Sequence, residues 1–171
     1  MRSFTRADLD KFYDWRNDPY VARFQGWPLP YSRDRAIEFM VEMETATPGI
    51  PGQWYQIAIT KKDTAELIGD CAFCPRQSGI QTEIGYTLAR PYHGYGYATQ
   101  AVRGLVDYLF DQQKMHRISA YCDTRNSPSF KLLQKLGFRL EGHYIENYKD
   151  GDMWASEYHY AMLRREWEAS G

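Results

Sequence analysis

Residues 83–110 read EIGYTLARPYHGYGYATQAVRGLVDYLF, and a strand pattern gives way to a helix pattern inside that one stretch. Thr82 to Ala89 is rich in β-branched and aromatic residues and reads as a strand. From Ala98 onward the apolar residues Ala98, Ala101, Val102, Leu105, Val106, Leu109 and Phe110 recur at steps of 3, 1, 3, 1, 3 and 1, the mark of a helix buried along one face. The glycines of His93-Gly94-Tyr95-Gly96-Tyr97-Ala98-Thr99 fall where one becomes the other. A helix start leaves backbone N–H groups unpaired, its dipole adds partial positive charge, and glycine lets an anion approach the backbone. The segment from Gly94 to Thr99 therefore predicts a phosphate cradle that needs no lysine. It does not name the phosphate. Thr99 stands where a dinucleotide fingerprint has its third glycine, and the Gly-Lys-Ser/Thr of a mononucleotide loop is absent. A plain tight turn is the alternative on glycines alone.

Working outward, Trp54 to Ile59 and Glu66 to Phe73 read as an antiparallel hairpin turning over Lys61 to Ala65, which places Thr82 to Ala89 third in the sheet. Upstream, Thr5-Arg6-Ala7-Asp8 resembles a capping box with Asp for Glu and opens a helix over 6–17, ended before Pro19. Ser32 caps a second amphipathic helix that stops near Ala46. Downstream come a strand over 117–122, a short helix from Ser127 or Pro128 to Lys135 closed by Gly137, and a long hairpin of 138–148 and 153–163 around Asp150-Gly151. No repeat or flexible linker divides the chain, so residues 1–171 read as one domain of the α+β class with a mixed sheet.

A chain that is 43% hydrophobic and 25% charged, with no apolar run of transmembrane length, reads as a folded soluble protein. Its N-terminus, MRSFTRADLDKF, carries charges where a signal peptide needs an apolar stretch, so a cytoplasmic location is expected. Net charge is −1 with the basic residues scattered, which argues against a nucleic-acid partner. The three cysteines are an odd number and fit a reducing compartment. Cys71 and Cys74 have CxxC spacing but no second pair, so buried thiols are expected rather than a metal or redox site. His93, His116, His143 and His159 have no ligand spacing, and no metal is assigned.

His93-Gly94-Tyr95-Gly96-Tyr97-Ala98 matches in spacing the Gln/Arg-x-x-Gly-x-Gly/Ala signature of the GNAT superfamily of acetyl-CoA-dependent N-acetyltransferases, with His in the first position. EIGYTLARPYHGYGYATQA resembles the strand, loop and helix entry of the branch that includes ribosomal-protein N-terminal acetyltransferases. Asn126-Ser127-Pro128-Ser129 followed by LLQKLGFRLEG is similar to that branch's second hallmark, Asn-x-x-Ser/Ala ending in Leu-Gly-Phe. Two departures stand out. The branch usually opens with a full strand where this sequence begins Met1-Arg2-Ser3, so the first strand looks clipped, leaving an edge that a symmetric partner in a homodimer would cover. Many members also carry a tyrosine acid at the position of Leu133.

The resemblance implies a sheet splayed between the strands at about 83–89 and 117–122, and direct acetyl transfer from acetyl-CoA to a primary amine on a small molecule or peptide. It implies contacts to the coenzyme from Tyr86, Leu88 and Ala89 on the third strand, from His93, Gly94, Tyr95, Gly96, Tyr97, Ala98 and Thr99 in the cradle, and from Asn126. An alkyl ammonium must lose a proton before it attacks, so a carboxylate base is needed, and Glu83 is the first choice ahead of Asp70 and Glu157. Ser129 is placed to hydrogen-bond or protonate the leaving thiolate; the capping of a helix is the alternative role for Asn126 and Ser129. Trp27, Trp54, Tyr148 and Trp154 are the candidate walls of the acceptor site, with core packing the alternative for each. Two other functions stay open at this point: a non-catalytic acyl-CoA-binding module and a nucleotide-binding protein.

Overall fold

A computed structural model describes residues 1–169. Six strands form one sheet: β1 (Tyr55–Thr60), β2 (Leu67–Pro75), β3 (Gln81–Leu88), β4 (Arg117–Asp123), β5 (Arg139–Asp150) and β6 (Met153–Leu163), in the order β1-β2-β3-β4-β6-β5. Every neighbouring pair is antiparallel except β3 with β4. That mixed, mostly antiparallel sheet is the α+β arrangement expected from the sequence. Before β1 the chain adds one isolated antiparallel bridge, Arg2 to Ala58, in place of a full strand.

The helices are α1 (Leu9–Arg16), α2 (Pro19–Ala22), α3 (Arg33–Thr45), α4 (Tyr97–Asp111), α5 (Ser127–Lys135) and α6 (Arg164–Glu168). The first begins as a 3-10 turn over Arg6–Asp8, where the Asp8 carboxylate accepts the Thr5 N–H at 2.8 Å. Two short helices were not read from the sequence. Pro19, which ends α1, also opens α2 at its first position, while the Asp18 carboxylate accepts the Tyr20 N–H at 2.8 Å. At the start of α6 the Glu166 carboxylate accepts the Leu163 N–H at 2.7 Å. Both helices are too short to show a period.

Alternation along the strands divides the core in two. Under one face of the sheet, Val102, Leu105, Leu109 and Phe110 of α4 and Leu133 of α5 pack on Phe73, Ile84 and Ile118. On the other face of β1–β3, α1 and α3 bury Phe12, Trp15, Phe39 and Met40 beside Phe4, Ala58 and Leu67, with Phe12 stacked on Phe39 at 4.4 Å. The same alternation puts Cys71 and Cys74 on opposite faces of β2, and burial pushes both thiols up. No helix among the described residues is long and apolar enough to cross a membrane.

Candidate active site

The parallel ladder of β3 and β4 has three rungs, from Gln81–Arg117 to Glu83–Ser119, and then the strands part. From Ile84 to Leu88 the far edge of β3 has no partner strand, which is the splay expected over 83–89 and 117–122. Ala89 donates its N–H to the Ile68 carbonyl at 2.8 Å, so the odd-numbered residues of β3 turn their backbone groups toward β2. The N–H and C=O of Tyr86 and Leu88 therefore face the gap, whereas the Ala89 amide is already taken.

The loop after β3 leads to the cradle. Gly94 and Gly96 have φ of +83° and +82°, a region natural to glycine, and a Cβ built on either would meet nothing within 4 Å. Among the described residues, the amides from Gly94 to Thr99 donate to no group of the chain; the next amide, of Gln100, bonds the Gly96 carbonyl at 3.0 Å. No side chain caps α4. Six unpaired donors at the positive end of a 15-residue helix, opening on free space, make a site that fits a diphosphate. His93, at the position where the family signature has Gln or Arg, bonds the Leu88 carbonyl through Nε2 at 2.7 Å and ties the loop to the end of β3. Tyr95 stands exposed beside the cradle, and Tyr97, Ala98 and Thr99 form the first turn of α4.

Across the gap, the Tyr86 hydroxyl lies 2.8 Å from Ser129 Oγ and 3.2 Å from the Ser129 carbonyl oxygen. Asn126 caps α5, its side-chain oxygen accepting the Ser129 N–H at 3.4 Å. Leu133, at the position of the family tyrosine, is fully buried in the core.

On the opposite face of β3 lies a cavity of about 750 Å³ between α1, α3, the α2–α3 loop and the sheet. Trp27, Tyr31, Phe39 and Trp54 supply aromatic walls, and Gly85 and Thr87 of β3 are part of its lining. The Trp54 ring lies over Gly85, at 3.8 Å from where a Cβ would stand. Trp27 donates its indole N–H to the Arg16 carbonyl at 3.0 Å and lies 3.8 Å below the Arg16 guanidinium. Arg16 is in turn paired with Asp70 at 3.2 Å and bonded to Gln56 at 3.1 Å. Burial raises the Asp70 carboxyl above its ordinary range against the pull of Arg16, and lowers the Arg16 guanidinium. Asp70 is thus the anchor of a buried cation, unsuited to act as a free base. Glu38 and Glu42 line the cavity one helical turn apart on α3, with no ion pair to another side chain among the described residues.

Glu83 stands on the last rung before the gap, on the same face as Gly85 and Thr87. Burial raises its carboxyl, the Arg76 guanidinium 3.6 Å away draws it back, and Glu157 pushes it up. Glu157 itself accepts a hydrogen bond from the Asn147 side chain at 2.7 Å.

Two of the four predicted walls fall elsewhere. Tyr148 donates its hydroxyl to Asp123 at 2.5 Å, and Arg125 joins Asp123 to Asp150 at 2.6 Å, so this group pins the hairpin to the end of β4. Trp154 lies exposed at the hairpin tip under Lys149 Nζ, 4.7 Å from the ring centre. Arg16, Glu38 and Glu42 were missed as cavity residues. Arg16 is a charged residue at the end of its helix, where exposure is the usual case, and the two glutamates read as the polar face of α3.

The family model for the acetyltransferase (GNAT) domain matches residues 1–139, and the chain belongs to that family of acetyltransferases. It is 32% identical over 168 residues to an uncharacterised N-acetyltransferase, p20, of Bacillus licheniformis, covering 98% of this chain and 93% of that one. Among solved structures, a GNAT-family acetyltransferase from Bacillus anthracis superposes with a TM-score of 0.85 at 25% identity, over 96% of this chain and 93% of that one. The spermidine N-acetyltransferase of Vibrio cholerae, solved with CoA and spermine, shares the fold with a TM-score of 0.84 at 18% identity, over 98% and 96% of the two chains.

Proposed function

We propose that this acetyltransferase moves the acetyl group of acetyl-CoA directly to a primary amine held in the cavity, within a ternary complex. The observation that carries the reading is the run of six unpaired amides from Gly94 to Thr99 next to the unpaired edge of β3. The cradle suits the diphosphate of the coenzyme, and the free backbone groups of Tyr86 with the Leu88 N–H suit its amide-bearing arm. When bound, acetyl-CoA supplies an activated carbonyl and a thiolate leaving group. The β3 edge offers backbone N–H to the oxygen of that carbonyl, where charge develops in acyl transfer.

Glu83 takes the amine proton, directly or through water. It shares a face with Gly85, about 7 Å along the strand at roughly 3.3 Å per residue. Its raised proton affinity moves it toward the range useful to a general base. Ser129, on the other face of the gap, meets the departing sulfur. Trp27 and Trp54 with Glu38 and Glu42 suit a cationic acceptor, since carboxylates and aromatic faces both attract ammonium groups.

The test combines titration with acetyl-CoA and a thiol-release assay over spermine, an amino acid, an aminoglycoside and a peptide with a free N-terminus. Micromolar binding with release above buffer hydrolysis on at least one amine is the expected result; absence of acetyl-CoA binding would refute the reading. The burial of Leu133 where the family often has its tyrosine acid favours a second reading, a non-catalytic acyl-CoA sensor. That reading predicts tight acetyl-CoA binding with no amine-stimulated release.

A further inference from the structure

We infer that Tyr86 is a positioning residue for the leaving group, its hydroxyl holding Ser129 so that the serine proton points into the gap as a hydrogen-bond donor to the coenzyme sulfur. The inference rests on the proposed acetyl transfer and addresses a group that Leu133 does not supply.

A tyrosine hydroxyl has one proton, a serine hydroxyl has one, and a backbone carbonyl has none. The Tyr86 hydroxyl lies 2.8 Å from Ser129 Oγ, where either oxygen can be the donor, and 3.2 Å from the Ser129 carbonyl, which can only accept. Burial drives the Tyr86 phenol far above the ordinary tyrosine range, so it keeps its proton throughout the working pH range. On this inference the Tyr86 proton goes to the nearer oxygen, Ser129 Oγ, which directs the single Ser129 proton away from Tyr86. With the Tyr86 proton on the carbonyl, Ser129 would donate to Tyr86 instead, and Tyr86→Phe would strengthen the thiolate preference rather than weaken it.

What lies on the other side of that hydroxyl supports the same direction. Ser129 also bears on the buried Cys122 thiol of β4, favouring its ionised form, so a sulfur is already among the neighbours of the serine hydroxyl. Burial pushes that thiol up to about 11, leaving it neutral and a weak partner that a thiolate would outcompete. Asn126 fixes the Ser129 backbone at the start of α5, so the hydroxyl has little freedom beyond its own rotation. Tyr86 removes that freedom. During transfer the amine nitrogen forms its bond to the acetyl carbon, the carbon–sulfur bond breaks, and the electron pair stays on sulfur. The amine proton leaves toward Glu83 or water, and the thiolate is held by the Ser129 proton until solvent protonates it. Tyr86 loses no proton.

The consequence can be read without turnover. A hydrogen bond from Ser129 favours bound thiolate over bound thiol, lowering the thiol pKa of CoA on the protein by about one unit, or about tenfold in relative affinity. Calorimetric titration of CoA and of desulpho-CoA, which lacks the sulfur, from pH 6.5 to 9.5 measures this ratio. We expect the preference for CoA to grow about fourfold across that range in the native protein, the free thiol being only partly ionised at its upper end. In Tyr86→Phe the growth falls to about twofold while desulpho-CoA affinity stays unchanged. Ser129→Ala abolishes the growth, and the double variant equals Ser129→Ala, because Tyr86 acts only through the serine. A pH-dependent ratio that survives Tyr86→Phe, or additive effects in the double variant, overturns the inference.

Failure of both ligands to bind the native protein overturns the proposed function and this inference together. Equal and pH-independent binding of both overturns the inference alone. Should Tyr86→Phe not fold, tyrosine 13Cζ NMR of the native protein decides, with the Tyr86 signal assigned by its change in Ser129→Ala. That signal should move with the CoA thiol titration and stay still with desulpho-CoA; a signal indifferent to the thiol refutes the role.

Discussion

Replacing Gly96 by alanine separates what the cradle does for the fold from what it does for a ligand. Gly96 caps α4 with φ of +82°, and an added Cβ meets no protein atom within 4 Å. The cost to the fold is therefore the left-handed backbone alone, roughly 1–2 kcal/mol for an L-residue. In a domain of this size that corresponds to a fall in Tm of about 2–8 °C. The methyl group enters the space into which the unpaired amides point. Losing one or two charge-assisted hydrogen bonds of about 1.5–3 kcal/mol each weakens acetyl-CoA binding by at least about tenfold, and by up to about 10⁴-fold. Gly79 provides the matched control. It has φ of +70°, an equally empty surrounding, and a place in the β2–β3 turn away from the cradle. Gly79→Ala should lower Tm by a similar amount and leave acetyl-CoA affinity alone. Differential scanning fluorimetry and calorimetric titration on both variants give the comparison. An unchanged acetyl-CoA affinity in folded Gly96→Ala, or an equal loss in Gly79→Ala, refutes the assignment of the cradle.

Two further expectations concern the carboxylates. Asp70→Ala strands the Arg16 guanidinium in a buried site, which should cost about 3–5 kcal/mol in urea unfolding, and the double change Arg16→Met with Asp70→Leu should recover most of it. A loss under 1 kcal/mol in the single variant would show that Arg16 finds another partner. For Glu83, the active form is the carboxylate, and its raised pKa means that activity is lost as pH falls through a value above that of an ordinary glutamate. Glu83→Gln should reduce kcat about 100-fold. Arg76→Ala, which removes the cation holding the carboxyl down, should move the acid limb of the kcat/KM profile to higher pH; a limb that stays or moves lower would exclude Glu83 as the base.

The parts of the site that were legible in the sequence are those whose cause is local. The cradle needs only glycines at a strand-to-helix junction, and the stripe of Ala101, Val102, Leu105 and Leu109 marks the helix that follows. The Asn126 cap and the Gly151 turn, with φ of +60°, likewise follow from their neighbours in the chain. Glu38 and Glu42 were not legible, because the polar face of an amphipathic helix has the same pattern whether it meets bulk water or a cavity. Tyr148 stands in a clamp outside the lining of that cavity, and its position was not legible for a related reason. An aromatic with a polar tip serves a pocket wall or a hydrogen-bonded clamp equally well, and the choice depends on Asp123, 25 positions away.

The opening between β3 and β4 gives the site its order. A strand whose two faces are both covered, but whose edge is bare from Ile84 to Leu88, presents backbone groups sideways and side chains up and down. Glu83, Gly85 and Thr87 belong to the face of the cavity, and Ile84, Tyr86 and Leu88 to the face of α4 and α5. In direct transfer the amine adds to the thioester carbonyl and the thiolate is expelled from the tetrahedral adduct, so the attacking and the departing atoms need separate partners. A β-strand with a free edge provides both sides and, between them, N–H donors for the carbonyl oxygen. On this reading the base, Glu83, and the sulfur partner, Ser129 with Tyr86 behind it, are on opposite faces because they are separated by an odd step along the strand. Their roles cannot be exchanged by a side-chain rotation, only by a shift of register, which the seven-rung ladder of β2 with β3 resists.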